Sequence, residues 1–161
     1  MSTATIFKNG FFFEAAHCLK RLPEDHICHR MHGHSYQVEL ELCGPIDRRG
    51  FVADYDDLVT AWEPIREELD HTVLNEVPGL EVPSTEIVAM WIMLRMGWVS
   101  DRQPGHITLH QASIMRRVGT MLQSVTVFES NSTRSRATRA SVGEIDPDTW
   151  ASLSAQITGA A

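Results

Sequence analysis

The sequence predicts an α+β fold, two antiparallel hairpins forming a curved four-stranded sheet with two helices on one face. Three observations predict it. Residues 7–17 and 36–42 alternate apolar with polar side chains, the period of a strand with one buried face. Residues 55–69 and 84–96 repeat their apolar side chains at helical spacing, and residues 125–129 return to alternation. At 161 residues, 43% hydrophobic and 22% charged, the chain suffices for a single domain over residues 1–161 with a core of its own. It has no internal repeat and no dividing linker.

In the first strand Phe7, Phe11, Phe13, Ala15 and His17 share the odd-numbered face. In the second, Tyr36, Val38, Leu40 and Leu42 alternate with Gln37, Glu39 and Glu41, and the same parity carried backwards puts His34 and His32 on the apolar side. Gly33 between them allows a close approach to the backbone. Pairing these strands across residues 18–31 brings His17 beside His32 and His34. A His-x-His pair alone is more often a hydrogen-bonded core or rim feature, but a third convergent imidazole changes that balance. Three neutral imidazoles with an open fourth position are the ligand set of a catalytic zinc site, whereas structural zinc is usually closed by four ligands rich in cysteine. His17, His32 and His34 are therefore read as metal ligands, with Zn2+ the expected cofactor.

Residues 44–50 form a turn-rich connector bounded by two glycines. Tyr55, Leu58, Val59, Trp62, Ile65 and Leu69 then define an amphipathic helix with Asp54 as N-cap and Asp56 and Asp57 in its first turn. Pro64 removes one of its hydrogen bonds, and a kink is expected there. Pro78-Gly79 and Pro83 mark a loop before a second helix, capped by Ser84 or Thr85, whose inner stripe is Ile87, Met90, Trp91 and Leu94. Residues 99–105 have loop composition, and Ile114, Met115, Val118, Met121 and Leu122 suggest a short third helix. Val125, Val127 and Glu129 give a third strand, and a fourth falls between Thr133 and Val142. The last residues, from 152, read as a frayed tail or a final helical turn.

Composition limits function. Fourteen Lys plus Arg against 21 Asp plus Glu give a formal charge of −7, which argues against general nucleic-acid binding. An anionic substrate would need a local basic pocket. No apolar run is long enough to cross a bilayer and the N-terminus has no export pattern, so a cytoplasmic protein is expected, without a membrane partner. Three cysteines, Cys18, Cys28 and Cys43, are too few and odd in number for a disulfide scaffold. Read alone, Cys28 is a small apolar residue, His71 a cation favoured near a helix C-terminus with Asp70 beside it, and Glu129 a strand end reaching solvent.

Five stretches in order carry a resemblance: Phe13-Glu14-Ala15-Ala16-His17; Cys28 followed by His32-Gly33-His34-Ser35; Leu69-Asp70-His71 with Leu74-Asn75; Pro83-Ser84-Thr85-Glu86; and Phe128-Glu129-Ser130. They resemble the signatures of the 6-pyruvoyl-tetrahydropterin synthase and 6-carboxytetrahydropterin synthase family. The likeness covers most of residues 5–96 and then 122–130, with residues 97–121 resembling an insertion and a weakly ordered tail after about 150. It implies the tunnelling fold and assembly into an oligomeric barrel, a dimer of trimers. It implies that Cys28, Asp70 and His71 form a proton-transfer relay, that Glu129 holds the 2-amino and ring N–H groups of a pterin, and that Ser84 and Thr85 lend that ring hydrogen bonds, usually from a neighbouring subunit. The implied reaction converts 7,8-dihydroneopterin triphosphate. Three residues separate Cys28 from His32, which resembles the carboxy-forming branch of queuosine biosynthesis, where 6-carboxy-5,6,7,8-tetrahydropterin, acetaldehyde and triphosphate are released. The alternatives are the pyruvoyl-forming reaction without carbon–carbon cleavage, or a non-catalytic module binding pterin or metal.

Overall fold

The computed structural model describes residues 1–97 and 106–142, and its sheet has five strands instead of the four expected. They are β1 (Thr3–His17), β2 (His32–Pro45), β3 (Thr72–Val73), β4 (Leu122–Phe128) and β5 (Arg134–Thr138), in the spatial order β3-β1-β2-β4-β5. The added strand is β3, two residues pairing parallel with Ala15 and Ala16, too short to leave any periodic signal. Helices α1 (Tyr55–Leu69), α2 (Thr85–Gly97), α3 (Leu109–Met121) and the single-turn α4 (Arg139–Val142) make four among the described residues, where two were expected on the sheet and a short third beyond them. The loop expected at residues 99–105 and the tail expected after about 150 lie outside the described residues.

The long β1–β2 hairpin organises the molecule. Its antiparallel register sets His17 opposite His32, Ala15 opposite His34, Phe13 opposite Tyr36 and Phe11 opposite Val38. Cross-strand neighbours on one face therefore pack directly, and the Phe13 and Tyr36 rings stack at 4.7 Å. Tyr36, Val38, Leu40 and Leu42 are fully buried, the three aliphatic side chains each contributing about 1.5–3 kcal/mol by leaving water. Phe7 departs from the expected parity. The register shifts between Lys8 and Phe11, so the extra residue turns Phe7 outward, 54% exposed, and gives its inner place to Ile6. Gly10 makes that bulge possible with φ of +84°, a backbone state that costs a residue with a Cβ. Gly33 serves the approach of the neighbouring strand, because a Cβ there would lie 3.3 Å from the Ala15 carbonyl oxygen.

The helices cover the buried face of the sheet. Asp54 caps α1 by accepting from the Asp56 N–H, and the helix continues through the buried Pro64. Tyr55 and Val59, expected on its inner stripe, are exposed, while Ala61 is buried with Leu58, Trp62, Ile65 and Leu69. α2 is buried on nearly every side, with Val88, Ala89 and Ile92 as deep as the expected Ile87, Trp91 and Leu94, so it is a central helix with no single stripe. Within the segment that resembles an insertion, α3 begins with a Thr108–Gln111 capping box and packs against α1, where Arg117 reaches Asp57. Its C-terminal carbonyls are closed by Arg139, which donates to Gly119, Thr120 and Leu122. The stretch expected to hold a fourth strand from Thr133 to Val142 divides into β5 and α4.

Replacing Gly10 by Ala tests the bulge. The site is open, the nearest atom being Lys8 Nζ at 3.8 Å from an added Cβ, so the cost is conformational and is expected at about 1–2 kcal/mol. Urea denaturation measures it, and an unchanged midpoint would mean that the hairpin does not need the left-handed residue.

Candidate functional site

His17 ends β1, and His32 and His34 begin β2 on the same face, so the paired ends of one hairpin deliver all three imidazoles. Their ligand atoms lie within 4.8 Å of one another, close enough to hold one metal ion. Backbone carbonyls orient two of the rings. His17 Nδ1 lies 2.8 Å from the Pro83 oxygen and His32 Nδ1 2.8 Å from the Arg30 oxygen. A carbonyl only accepts, so in both rings the proton sits on Nδ1 and Nε2 carries a free lone pair. Among the described residues His17 Nε2 and His34 Nε2 are buried without a hydrogen-bond partner, an arrangement that costs stability unless a cation occupies the space between them. The donor set fits a metal ion.

The electrostatics favour the neutral form of His17. Burial first, and then the neighbouring His32 and His34, hold the His17 imidazole below its ordinary 6.5, against the opposing pull of the Pro83 carbonyl and Glu129. Tyr36 packs in T-shaped arrangements with His17 and His34, and its buried hydroxyl has no partner among the described residues. Burial, and then Glu129, push that phenol well above its usual range. Strand parity alone counts Tyr36 as one more apolar core residue. Its position two residues after a His-x-His on the same face is the signal that could have marked it as the floor of the site.

The three histidines open into a cavity of about 940 Å³, and Cys28 lines it with them. Cys28 sits in a single 3-10 turn, Ile27–His29, capped by His26 Nδ1 accepting from the Cys28 N–H. Ser84, Thr85 and Glu129 also line this cavity from the same chain. Ser84 is the α2 N-cap, its hydroxyl facing the Ile87 N–H at 3.4 Å and its carbonyl accepting from Val88. Glu129 follows β4, and its carboxylate Oε1 stands 3.6 Å from both His17 Nε2 and His34 Nε2. No periodic pattern marks this carboxylate as one that turns toward the histidines. The β4–β5 turn adds Ser132, Thr133 and Arg134 to the wall, Arg134 being its one Lys or Arg side chain among the described residues.

Asp70 and His71 stand elsewhere. His71 lines a second cavity with Glu14, Gly33, Ser35 and the His34 that also borders the first, one that Cys28 does not line, and is 79% exposed. Asp70 accepts from the Glu14 N–H, and its Oδ2 lies 3.1 Å from His71 Nδ1. The Glu14 N–H first, with His71 and Arg66, lowers its carboxyl from the ordinary 3.8. His71 adopts φ of +58°, a left-handed state worth about 1–3 kcal/mol of strain in a non-glycine residue. Its N–H donates to the Glu14 carbonyl, which holds the turn. Within one chain, then, the histidines, Cys28, Glu129, Ser84 and Thr85 come together, and the Asp70–His71 pair does not join them.

A family model described as 6-pyruvoyl tetrahydropterin synthase matches residues 5–139. The chain belongs to that family. Among curated proteins it is 35% identical over 80 residues to a putative 6-carboxy-5,6,7,8-tetrahydropterin synthase of Archaeoglobus fulgidus, covering 50% of this chain and 65% of that one. It is 35% identical over 99 residues to the 6-carboxy-5,6,7,8-tetrahydropterin synthase of Synechocystis, covering 56% and 74%. It is also 32% identical over 102 residues to the dihydroneopterin monophosphate aldolase of Pyrococcus furiosus, covering 63% and 81%. The fold matches that of the Caenorhabditis elegans 6-pyruvoyl tetrahydropterin synthase with a TM-score of 0.67 at 22% identity, over 86% of this chain and 96% of the other. Among the described residues no helix is long and apolar enough to cross a membrane.

Removing one imidazole should abolish the centre: His32→Ala is expected to lose stoichiometric metal, read by elemental analysis of purified protein. The His17 shift sets a second expectation. Above about pH 6.5 the ring is neutral in folded and unfolded chains alike, and below it the unfolded chain takes the proton first, so the metal-free protein loses stability as pH falls. That loss should be shallower in His17→Gln, measured by thermal denaturation between about pH 7 and 5.5.

Proposed function

We propose that the protein is a zinc enzyme that converts 7,8-dihydroneopterin triphosphate to 6-carboxy-5,6,7,8-tetrahydropterin with release of acetaldehyde and triphosphate, in 7-deazaguanine and queuosine biosynthesis. The observation that carries this reading is Cys28 on the wall of the cavity that holds three convergent imidazoles. The Cys28–His32 spacing and the names of the Archaeoglobus and Synechocystis relatives support the carboxy-forming branch.

His17, His32 and His34 would hold zinc, which when bound supplies a Lewis acid for the side-chain oxygens of the substrate. The chain's own residues do the rest. Glu129 accepts from the 2-amino and ring N–H groups, a bidentate fit of carboxylate to a guanidine-like edge, while Ser84 and Thr85 offer hydroxyls to the same ring. Cys28 takes and returns protons at the pterin C6 and adjoining side-chain carbons, which permits the retro-aldol cleavage of the carbon–carbon bond. Asp70 orients His71 for the partner proton transfer. His71 lines a cavity that Cys28 does not line, which supports a relay completed between copies of the chain. The sheet's outer strands, β3 and β5, each leave an edge available for such assembly into a dimer of trimers.

A second reading changes the phosphate and keeps the cleavage. Arg134 is the one Lys or Arg on the cavity wall among the described residues, with Glu86 and Glu129 facing the same space, a charge better matched to one phosphate than to three. The Pyrococcus relative's name, a monophosphate aldolase, is of that kind. Incubating zinc-loaded protein with dihydroneopterin triphosphate and with its monophosphate, and identifying the products by mass, separates the readings. Acetaldehyde from the triphosphate is the expected result. A pyruvoyl pterin without acetaldehyde would move the protein to the other branch, and turnover of the monophosphate alone would establish the second reading.

Cys28→Ala is expected to retain zinc and fold while losing about 10²–10⁴-fold in turnover. His71→Ala should behave alike, and mixing the two inactive variants after subunit exchange should restore part of the rate. A full-rate Cys28→Ala enzyme, or mixtures that stay inactive, would reject the division of labour.

A further inference from the structure

We infer that Glu129 is a fourth protein ligand of the metal in the substrate-free protein and that it leaves the metal when a pterin binds. Its Oε1 is 3.6 Å from His17 Nε2 and 3.6 Å from His34 Nε2, too long for a hydrogen bond to either. On His17 the proton is spent on the Pro83 carbonyl, so the nitrogen facing the carboxylate presents a lone pair. An anionic oxygen and an imidazole lone pair repel across that gap unless a cation lies between them. The spacing suits one: zinc with nitrogen ligands at about 2.0–2.1 Å and oxygen at about 2.0–2.2 Å sets neighbouring ligand atoms about 3.4 Å apart on a tetrahedral edge.

The main chain around Glu129 is fixed, its N–H donating to the Thr133 carbonyl while Ser130 Oγ accepts from the N–H groups of Ser132 and Thr133. Only the side chain needs to move. With the carboxylate on the metal, three imidazoles and one oxygen complete four-coordination, the closed arrangement of a site at rest. With the carboxylate turned to a pterin's amino and ring N–H groups, one position opens as those donors arrive. Glu129 thus couples recognition to the opening of the metal, an inference that rests on the reading of Glu129 as the pterin anchor given above.

Cobalt as Co2+ provides the probe, together with pterin itself, which has no side chain able to reach the metal. Chelator competition is expected to show Co2+ held about tenfold or more weakly in Glu129→Gln and Glu129→Ala than in the parent. Saturating pterin is expected to shift the visible absorption of the parent's bound Co2+ and to leave that of Glu129→Ala unmoved. Parental Co2+ affinity in both variants, or a parent spectrum indifferent to bound pterin, would overturn the inference. The two readings remain separable: variants that lose pterin affinity while keeping Co2+ affinity retain the anchor and reject the ligand, and the reverse result rejects the anchor. Glu129→Gln keeps the side chain's size, and far-ultraviolet circular dichroism checks its fold.

Discussion

The pairing of His17 with His32 across the mouth of one hairpin is the constraint on which the rest of the site depends. Antiparallel strands place directly opposed side chains on one face, so this single register brings two imidazoles together, and the alternation of β2 supplies the third two residues later. A slip of one residue would turn His32 and His34 to the outer face and expose Tyr36, Val38, Leu40 and Leu42 with them. The burial of that apolar row therefore enforces the geometry of the polar end. The bulge at Gly10 reverses the parity of β1 far from the site, so the strand can present different faces to the core at its two ends while His17 stays in register.

The site is built from acceptors. Three imidazoles, a carboxylate and a nearby thiol face a common space, with a buried phenol beside the imidazoles that has no partner among the described residues, and the Pro83 and Arg30 carbonyls face Nδ1 of two of the rings. Such a cluster stores an electrostatic cost that a bound cation relieves. Unfavourable polar burial in the fold and metal affinity are then two views of one arrangement.

Much of this was legible in the residues themselves. Alternation from Phe11 to His17 and from His32 to Leu42 placed both long strands and the three histidines, because each strand buries one face and the core checks its parity at every second residue. Helical spacing and Asp54 placed α1. What escaped had no repeating signature: the bulge that turned Phe7 outward is a single insertion and β3 is two residues long, while α2, found by its spacing, is buried on nearly every side and not on one stripe. The separation of Asp70 and His71 from Cys28 is a matter of which side of the hairpin the α1–β3 turn lands on, which no local pattern encodes. The direction of the Glu129 side chain is likewise set by the β4–β5 turn.

The Asn75 carboxamide accepts from the Cys18 N–H at 2.9 Å and donates to the Cys18 carbonyl at 2.8 Å, as a facing strand would. One side chain thereby stands in for a length of backbone where β1 runs out. Few side chains can play this part: aspartate has the length but no donor and would set its charge against the carbonyl, leucine offers neither group, and glutamine overshoots. Because the same segment leads on to Pro83, whose carbonyl steers His17, and to Ser84 at the head of α2, this amide is a splint that ties the end of β1 to the stretch entering the central helix.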